Sequence, residues 1–162
     1  MELTVTIDLA HIRKDVKKHL SVMGKRQKNN EETAFTSITL SSAEEELMNM
    51  YIKAAVEVFV GEMEKLITYY NYEDFLVFEI RNTRWANDKT SITVPFEGNF
   101  IGYVVAYVGN AVLGMNYPEL AKKYAEDMTN HLKAAIKLVY YKQEPKKSRK
   151  TLADMKGEVV LD

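Results

Sequence analysis

The stretch from Ser41 to Tyr70, SSAEEELMNMYIKAAVEVFVGEMEKLITYY, decides how the rest of the chain is read. Either serine at its head can cap a helix, with a glutamate three residues on. The carboxylates of Glu44, Glu45 and Glu46 then lie at the positive end of the helix dipole. Met48, Ile52, Ala55, Phe59, Met63, Leu66 and Tyr70 recur at steps of three or four, and Leu47, Tyr51, Ala54 and Val58 widen that face. Glu46, Asn49, Lys53, Glu57, Gly61, Glu64 and Thr68 form the opposite stripe. The pattern predicts one amphipathic helix, roughly 40 Å long at the usual rise per residue. Ala54 and Ala55 would let a second helix come close at its middle. Gly61, about 1 kcal/mol less favourable than alanine, leaves room for a bend. Such a helix specifies a fold and says little about chemistry.

Working outward, 162 residues make one domain with a substantial core, and 46% hydrophobic with 28% charged residues is ordinary for a globular chain. The net charge of −1 gives the whole molecule no strong sign. The absence of cysteine excludes disulfides and thiolate metal sites. Met1 to Asp8 has neither the basic nor the apolar region of a secretory signal. The most apolar run, Phe100 to Met115, is too short to span a bilayer and contains Asn110 and three glycines. It is expected to be buried in protein, and no membrane partner is expected.

Before the central stretch, Leu3 to Ile7 alternates with threonine and predicts a strand. Asp8 predicts the cap of a first helix with Ile12, Val16, Leu20 and Met23 on its apolar face and an end near Gly24. Thr36, Ile38 and Leu40 suggest a strand leading into the central helix. After it, Phe75 to Arg81 and Ser91 to Phe96 read as two strands of a hairpin, the second ended by Pro95. The intervening segment from Asn82 to Thr90 is long for a hairpin loop and holds the only tryptophan, Trp85, beside Arg84; this pair is a candidate partner anchor. A third helix is expected from about Asn99 to Met115, with Gly102, Ala106 and Gly109 on one side for close packing. Pro118 suits the first position of a fourth helix, whose apolar face is Leu120, Tyr124, Met128, Leu132, Ala135 and Val139. The expectation is a mainly α fold: a bundle of about four helices with a small β-hairpin element over residues 1–144, and an extended carboxyl-terminal arm over 145–162. Its core is expected to be shared by the central and fourth helices, with Phe59 and Met128 buried.

No catalytic constellation stands out. His11, His19 and His131 are scattered and are expected to be solvated. Gly98, Gly102 and Gly109 lack the lysine and serine of a phosphate loop. Asp127 and His131 are four apart on the fourth helix, but no second such pair completes a two-metal centre. The chain reads as a non-enzyme without catalytic residues, metal or cofactor. Charge is instead arranged in blocks. Arg13 to Lys28 holds seven basic residues and one acidic, Glu44 to Glu79 nine acidic and two basic, and Lys142 to Lys156 six basic and two acidic. A basic side could meet an acidic side of a neighbouring copy, and head-to-tail contacts of that kind close into rings. The basic blocks could equally face nucleic-acid phosphate, without reading its sequence.

The order of parts carries a resemblance. A basic first helix precedes Leu40-Ser41-Ser42-Ala43-Glu44-Glu45-Glu46-Leu47-Met48. Then come Tyr51-Ile52-Lys53-Ala54-Ala55-Val56, Val94-Pro95, a tyrosine-rich apolar helix, and Ala134-Ala135-Ile136-Lys137-Leu138-Val139-Tyr140-Tyr141-Lys142 with Pro145 just beyond. This layout resembles the head–tail connector (neck adaptor or ring) proteins of tailed bacteriophages, including those of crAss-like and other Bacteroides-type phages. The resemblance implies a virion protein assembled in the host cytoplasm: a ring of about twelve copies below the portal, continuing the DNA channel without sequence specificity and touching neighbouring neck or tail proteins. It brings no catalytic residues. The candidate channel or subunit-interface residues are Arg13, Lys14, Lys17, Lys18, Lys25 and Arg26. Beyond Pro145, Lys146, Lys147, Arg149 and Lys150 have no apolar face to order them, whereas Val159, Val160 and Leu161 form a β-prone tip; together they suggest an arm that docks on a neighbour. The other reading is a cytosolic helical regulatory module, or one associated with nucleic acid in a sequence-blind way.

Overall fold

The computed structural model describes residues 2–28, 42–81, 90–115 and 117–139. They are mainly helical, with four helices and one small antiparallel sheet. Strand β1 (Glu2–Asp8) runs straight into helix α1 (Leu9–Lys28). The Asp8 carboxylate accepts the Ala10 N–H at 2.8 Å, which caps the helix as its sequence suggested. Ile12, Val16, Leu20 and Met23 are all buried, so the apolar face of α1 is the one its spacing predicted. The helix continues past Gly24 to Lys28 rather than ending there.

The central stretch is not one helix. Helix α2 (Ser42–Glu62) stops, a turn over residues 63–66 follows, and strand β2 (Ile67–Tyr72) begins. β2 turns back across Glu73 and Asp74 into strand β3 (Phe75–Arg81), which lies between β1 and β2. The predicted hairpin is therefore misplaced: β3 pairs with β2 and β1, not with a strand over residues 91–96. A bulge explains why β2 imitates a helix. Ile67 pairs with Ile80, but Tyr69 pairs with Glu79, so Thr68 is an extra residue. Thr68 Oγ1 donates to the Glu79 carbonyl at 3.1 Å. The inserted residue puts Ile67, Tyr70 and Tyr72 on the sheet face that carries Ile80, Phe78 and Leu76. With Met63 and Leu66 buried by the turn, the inward series runs at steps that read as a helical period.

Residues 91–96 belong to helix α3 (Thr90–Gly109). Ile92, Val94 and Phe96 alternate like a strand, but only Ile92 and Phe96 are buried, one helical turn apart, and Val94 is exposed. Pro95 does not end a strand. It lies exposed inside α3, at the sixth residue, where the missing N–H leaves the Ser91 carbonyl without its helical donor, and its own carbonyl accepts the Asn99 side-chain amide at 2.8 Å. A single π-helical turn, Asn110–Gly114, extends α3. Helix α4 (Pro118–Val139) starts at the proline as expected and carries Glu119 in its first turn and Lys137 in its last, both favourable to the dipole.

The core gathers on α3. It packs against α1, α2 and α4, and both α1 and α3 touch β1 beneath. The expectation of a core shared by α2 and α4 is corrected accordingly: α3 is the element the others pack on. Phe59 of α2 is fully buried, edge-on to Phe100 at 5.0 Å, Tyr103 at 5.2 Å and Phe96 at 6.0 Å, with Phe78 of β3 at 6.3 Å. Met128 is only half-buried, at the margin of this core. Leu47 and Val58, assigned to the apolar face of α2, are exposed.

Candidate assembly surfaces

The α3–α4 seam sets two polar rings of α4 against glycines of α3. Gly102, Ala106 and Gly109 do share one side of α3, as their spacing suggested. A Cβ on Gly102 would meet the His131 ring at 2.6 Å, and one on Gly109 would meet Tyr124 Cζ at 2.7 Å. The two glycines thus make room for two rings of α4. Neither ring is merely apolar filling. Asn99, whose amide already donates to Pro95, turns Oδ1 toward His131 Nδ1 at 3.2 Å, so that nitrogen carries the proton. Tyr124 is almost fully buried, and its hydroxyl shares a hydrogen bond with His19 Nε2 of α1 at 2.8 Å. The rings meet edge to face at 5.6 Å. His19 and His131 are partly buried and bonded, which corrects the expectation that they are solvated; His11 is exposed, 3.2 Å from Asp15. Their partners lie far away in sequence, so no local signal announced them.

Among the described residues, burial pushes the hydroxyls of Tyr72, Tyr103 and Tyr124 above their ordinary value. Burial is the main cause in each, at Tyr124 reinforced by Asp127 and at Tyr103 by Tyr107 and Glu62. At Tyr72 burial is opposed by Arg13 and reinforced by Glu57. Asp127 and His131 gain no third ligand: among the described residues no three His, Asp or Glu side chains are grouped to hold a metal.

The predicted basic residues of α1 divide. Arg13 Nε donates to Asn49 Oδ1 at 2.9 Å, and Lys17 Nζ reaches Glu45 Oε1 at 2.6 Å. Both acceptors belong to α2, so part of the basic block is met by the acidic block of the same chain. Lys14 and Lys18 are exposed. Lys25 and Arg26 lie in the last turns of α1. The anchor pair Arg84 and Trp85, the strand suggested around Ile38, and the arm with Lys146, Lys147, Arg149, Lys150, Val159, Val160 and Leu161 lie outside the described residues.

Two surfaces with exposed large apolar side chains face outward instead. One is the far side of α2, where Leu47, Met50 and Val58 are exposed. The other is the outer face of the sheet, where Tyr69 and Phe75 are exposed beside Val77 and the polar Thr4, Thr6 and Glu79. Sequence reading missed both as surfaces. Met50, three residues after Leu47 and four before Ala54, was the available signal for the first. Comparison with known protein families, with curated proteins and with solved structures gives no match. Among the described residues no helix is long and apolar enough to cross a membrane.

Proposed function

We propose that this chain is a structural assembly protein without catalytic activity: a head–tail connector of a tailed phage virion, forming a ring of about twelve copies below the portal. The observation that carries the assembly part is a pair of unlike surfaces, the apolar outer stripe of α2 and the mixed outer face of the β1–β3–β2 sheet with its exposed Tyr69 and Phe75. A head-to-tail ring contact joins two different patches of one chain, and two such patches are present. The connector part rests on the resemblance in the order of elements and short phrases. The channel would be lined by Lys14 and Lys18 of α1, which are exposed. The nucleic-acid-module reading draws less support, because Arg13 and Lys17 are already engaged by Asn49 and Glu45.

The test is the mass and appearance of the purified chain with and without a portal assembly. A ring on the portal supports the reading, and a chain that never joins the portal overturns the connector role. Replacing Lys14 and Lys18 together by glutamate should impair ring formation or DNA retention while leaving the monomer folded, because Lys17, paired with Glu45, is kept. Normal particles from that variant would remove α1 from the channel.

A further inference from the structure

The exposed side of α2 has a pattern that the core does not explain. At 100° per residue, Leu47, Met50, Ala54, Val58 and Gly61 fall within about 80° of the circumference, on the side away from buried Ile52 and Phe59. Met50 is 67% exposed, Leu47 46% and Val58 42%; a Cβ on Gly61 would meet nothing within 4 Å. Steps between these residues are three, four, four and three, the same from either end.

We propose that this stripe is a self-pairing surface, on which α2 of a second copy lies antiparallel about a two-fold axis through Ala54. The geometry selects that occupant. With Ala54 against Ala54, Met50 falls on Val58 and Leu47 on Gly61, so a large side chain faces a small one where the helices meet near each end. The small residue at the centre lets the backbones approach. Charge agrees with the same register. Lys53 and Glu57 are exposed along one edge of the stripe. In a two-fold antiparallel pair each edge meets itself, which sets Lys53 of one copy about 3 Å along the axis from Glu57 of the other, twice over, against a single Lys53–Lys53 approach at about the same offset. A parallel two-fold pair would instead set this edge against the opposite edge of the partner, so Lys53 and Glu57 would not meet across the contact.

The contact is small. A strip roughly 30 Å by 10 Å offers on the order of 300 Å² per copy, against about 800 Å² in a standard stable interface. It is therefore a weak, exchangeable pair. A two-fold contact cannot persist between neighbours of a ring whose subunits all point one way. Pairing then belongs to the free chain, where it covers the stripe until a ring neighbour takes it. The pairing does not depend on the connector reading and is tested on the isolated chain without portal.

Sedimentation of the full chain over a concentration series should show a monomer–dimer equilibrium. Met50→Glu should shift it to monomer with an unchanged circular dichroism spectrum. Lys53→Glu and Glu57→Lys should each weaken dimerisation severalfold, and the double exchange should restore it. Because the chain has no cysteine, linkage reports the register directly. Ala54→Cys should cross-link to itself under oxidation, and a mixture of Met50→Cys with Val58→Cys should form the mixed dimer. Met50→Cys alone should not, because its two copies would be about 12 Å apart along the axis. A strictly monomeric chain or self-linkage of Met50→Cys would overturn the proposal.

Discussion

Helix α3 contains its own controlled experiment. Gly98 and Gly109 lie in the same helix, but a Cβ on Gly98 meets nothing within 4 Å, whereas one on Gly109 meets Tyr124 Cζ at 2.7 Å and Cε1 at 2.8 Å. Alanine at either site should gain up to about 1 kcal/mol of helix propensity. At Gly98 nothing opposes the gain, so Gly98→Ala should be stabilising by about that amount. At Gly109 the Tyr124 ring must move, and it has little freedom: it is 1% exposed and its hydroxyl is held by His19 at 2.8 Å. Overpacking of this kind costs roughly 1–3 kcal/mol, so Gly109→Ala should lose up to about 2 kcal/mol net. The two variants should then differ by about 1–3 kcal/mol in urea unfolding followed by circular dichroism, with equal m-values. Gly109→Ala placed in a Tyr124→Ala background should lose its penalty, because the obstructing ring is gone. If Gly109→Ala is as stable as Gly98→Ala in the parent chain, the close approach of α3 to α4 and the packing argument built on it are wrong.

Truncating Phe59 to alanine should destabilise by about 3–5 kcal/mol, toward the upper end because the ring touches aromatic partners on α3 and β3; a loss below about 1 kcal/mol would place it outside the core. The hydroxyls of Tyr72, Tyr103 and Tyr124 titrate above the ordinary 10.0, so folding favours their protonated forms. Their contribution to stability is whole below pH 10.0 and is lost as pH rises through the folded values, and the alkaline limb of a stability–pH curve should be shallower in Tyr124→Phe. At neutral pH the same variant should lose about 1 kcal/mol, the worth of the bond to His19; an unchanged midpoint would argue against that bond. Lys17→Ala should cost less than about 1 kcal/mol and the difference should shrink with added salt, because both partners of the Lys17–Glu45 pair are largely exposed.

The sequence alone determined those elements whose signals are local. Asp8 caps α1, Pro118 opens α4, and Ile12, Val16, Leu20 and Met23 announce the buried face of α1, because a cap and a 3.6-residue period need only neighbours in the chain. The small-residue side of α3 was legible for the same reason, although not which rings would fill it. Tertiary structure decided the rest wherever local preference was divided. Residues 67–72 continue a helical spacing but are, apart from Asn71, β-branched or aromatic; the hydrogen bonds of β3, with one bulged residue, made them a strand. Residues 91–96 alternate like a strand, yet β3 is already paired on both edges by β1 and β2, while a helix buries Ile92 and Phe96. The partners of His19 and Lys17 belong to helices 105 and 28 residues away, and only the packed fold brings those side chains together. The outward stripe of α2 lay between these cases. Its spacing is written in the chain, but that Met50 faces solvent rather than core depends on which side of α2 received α3.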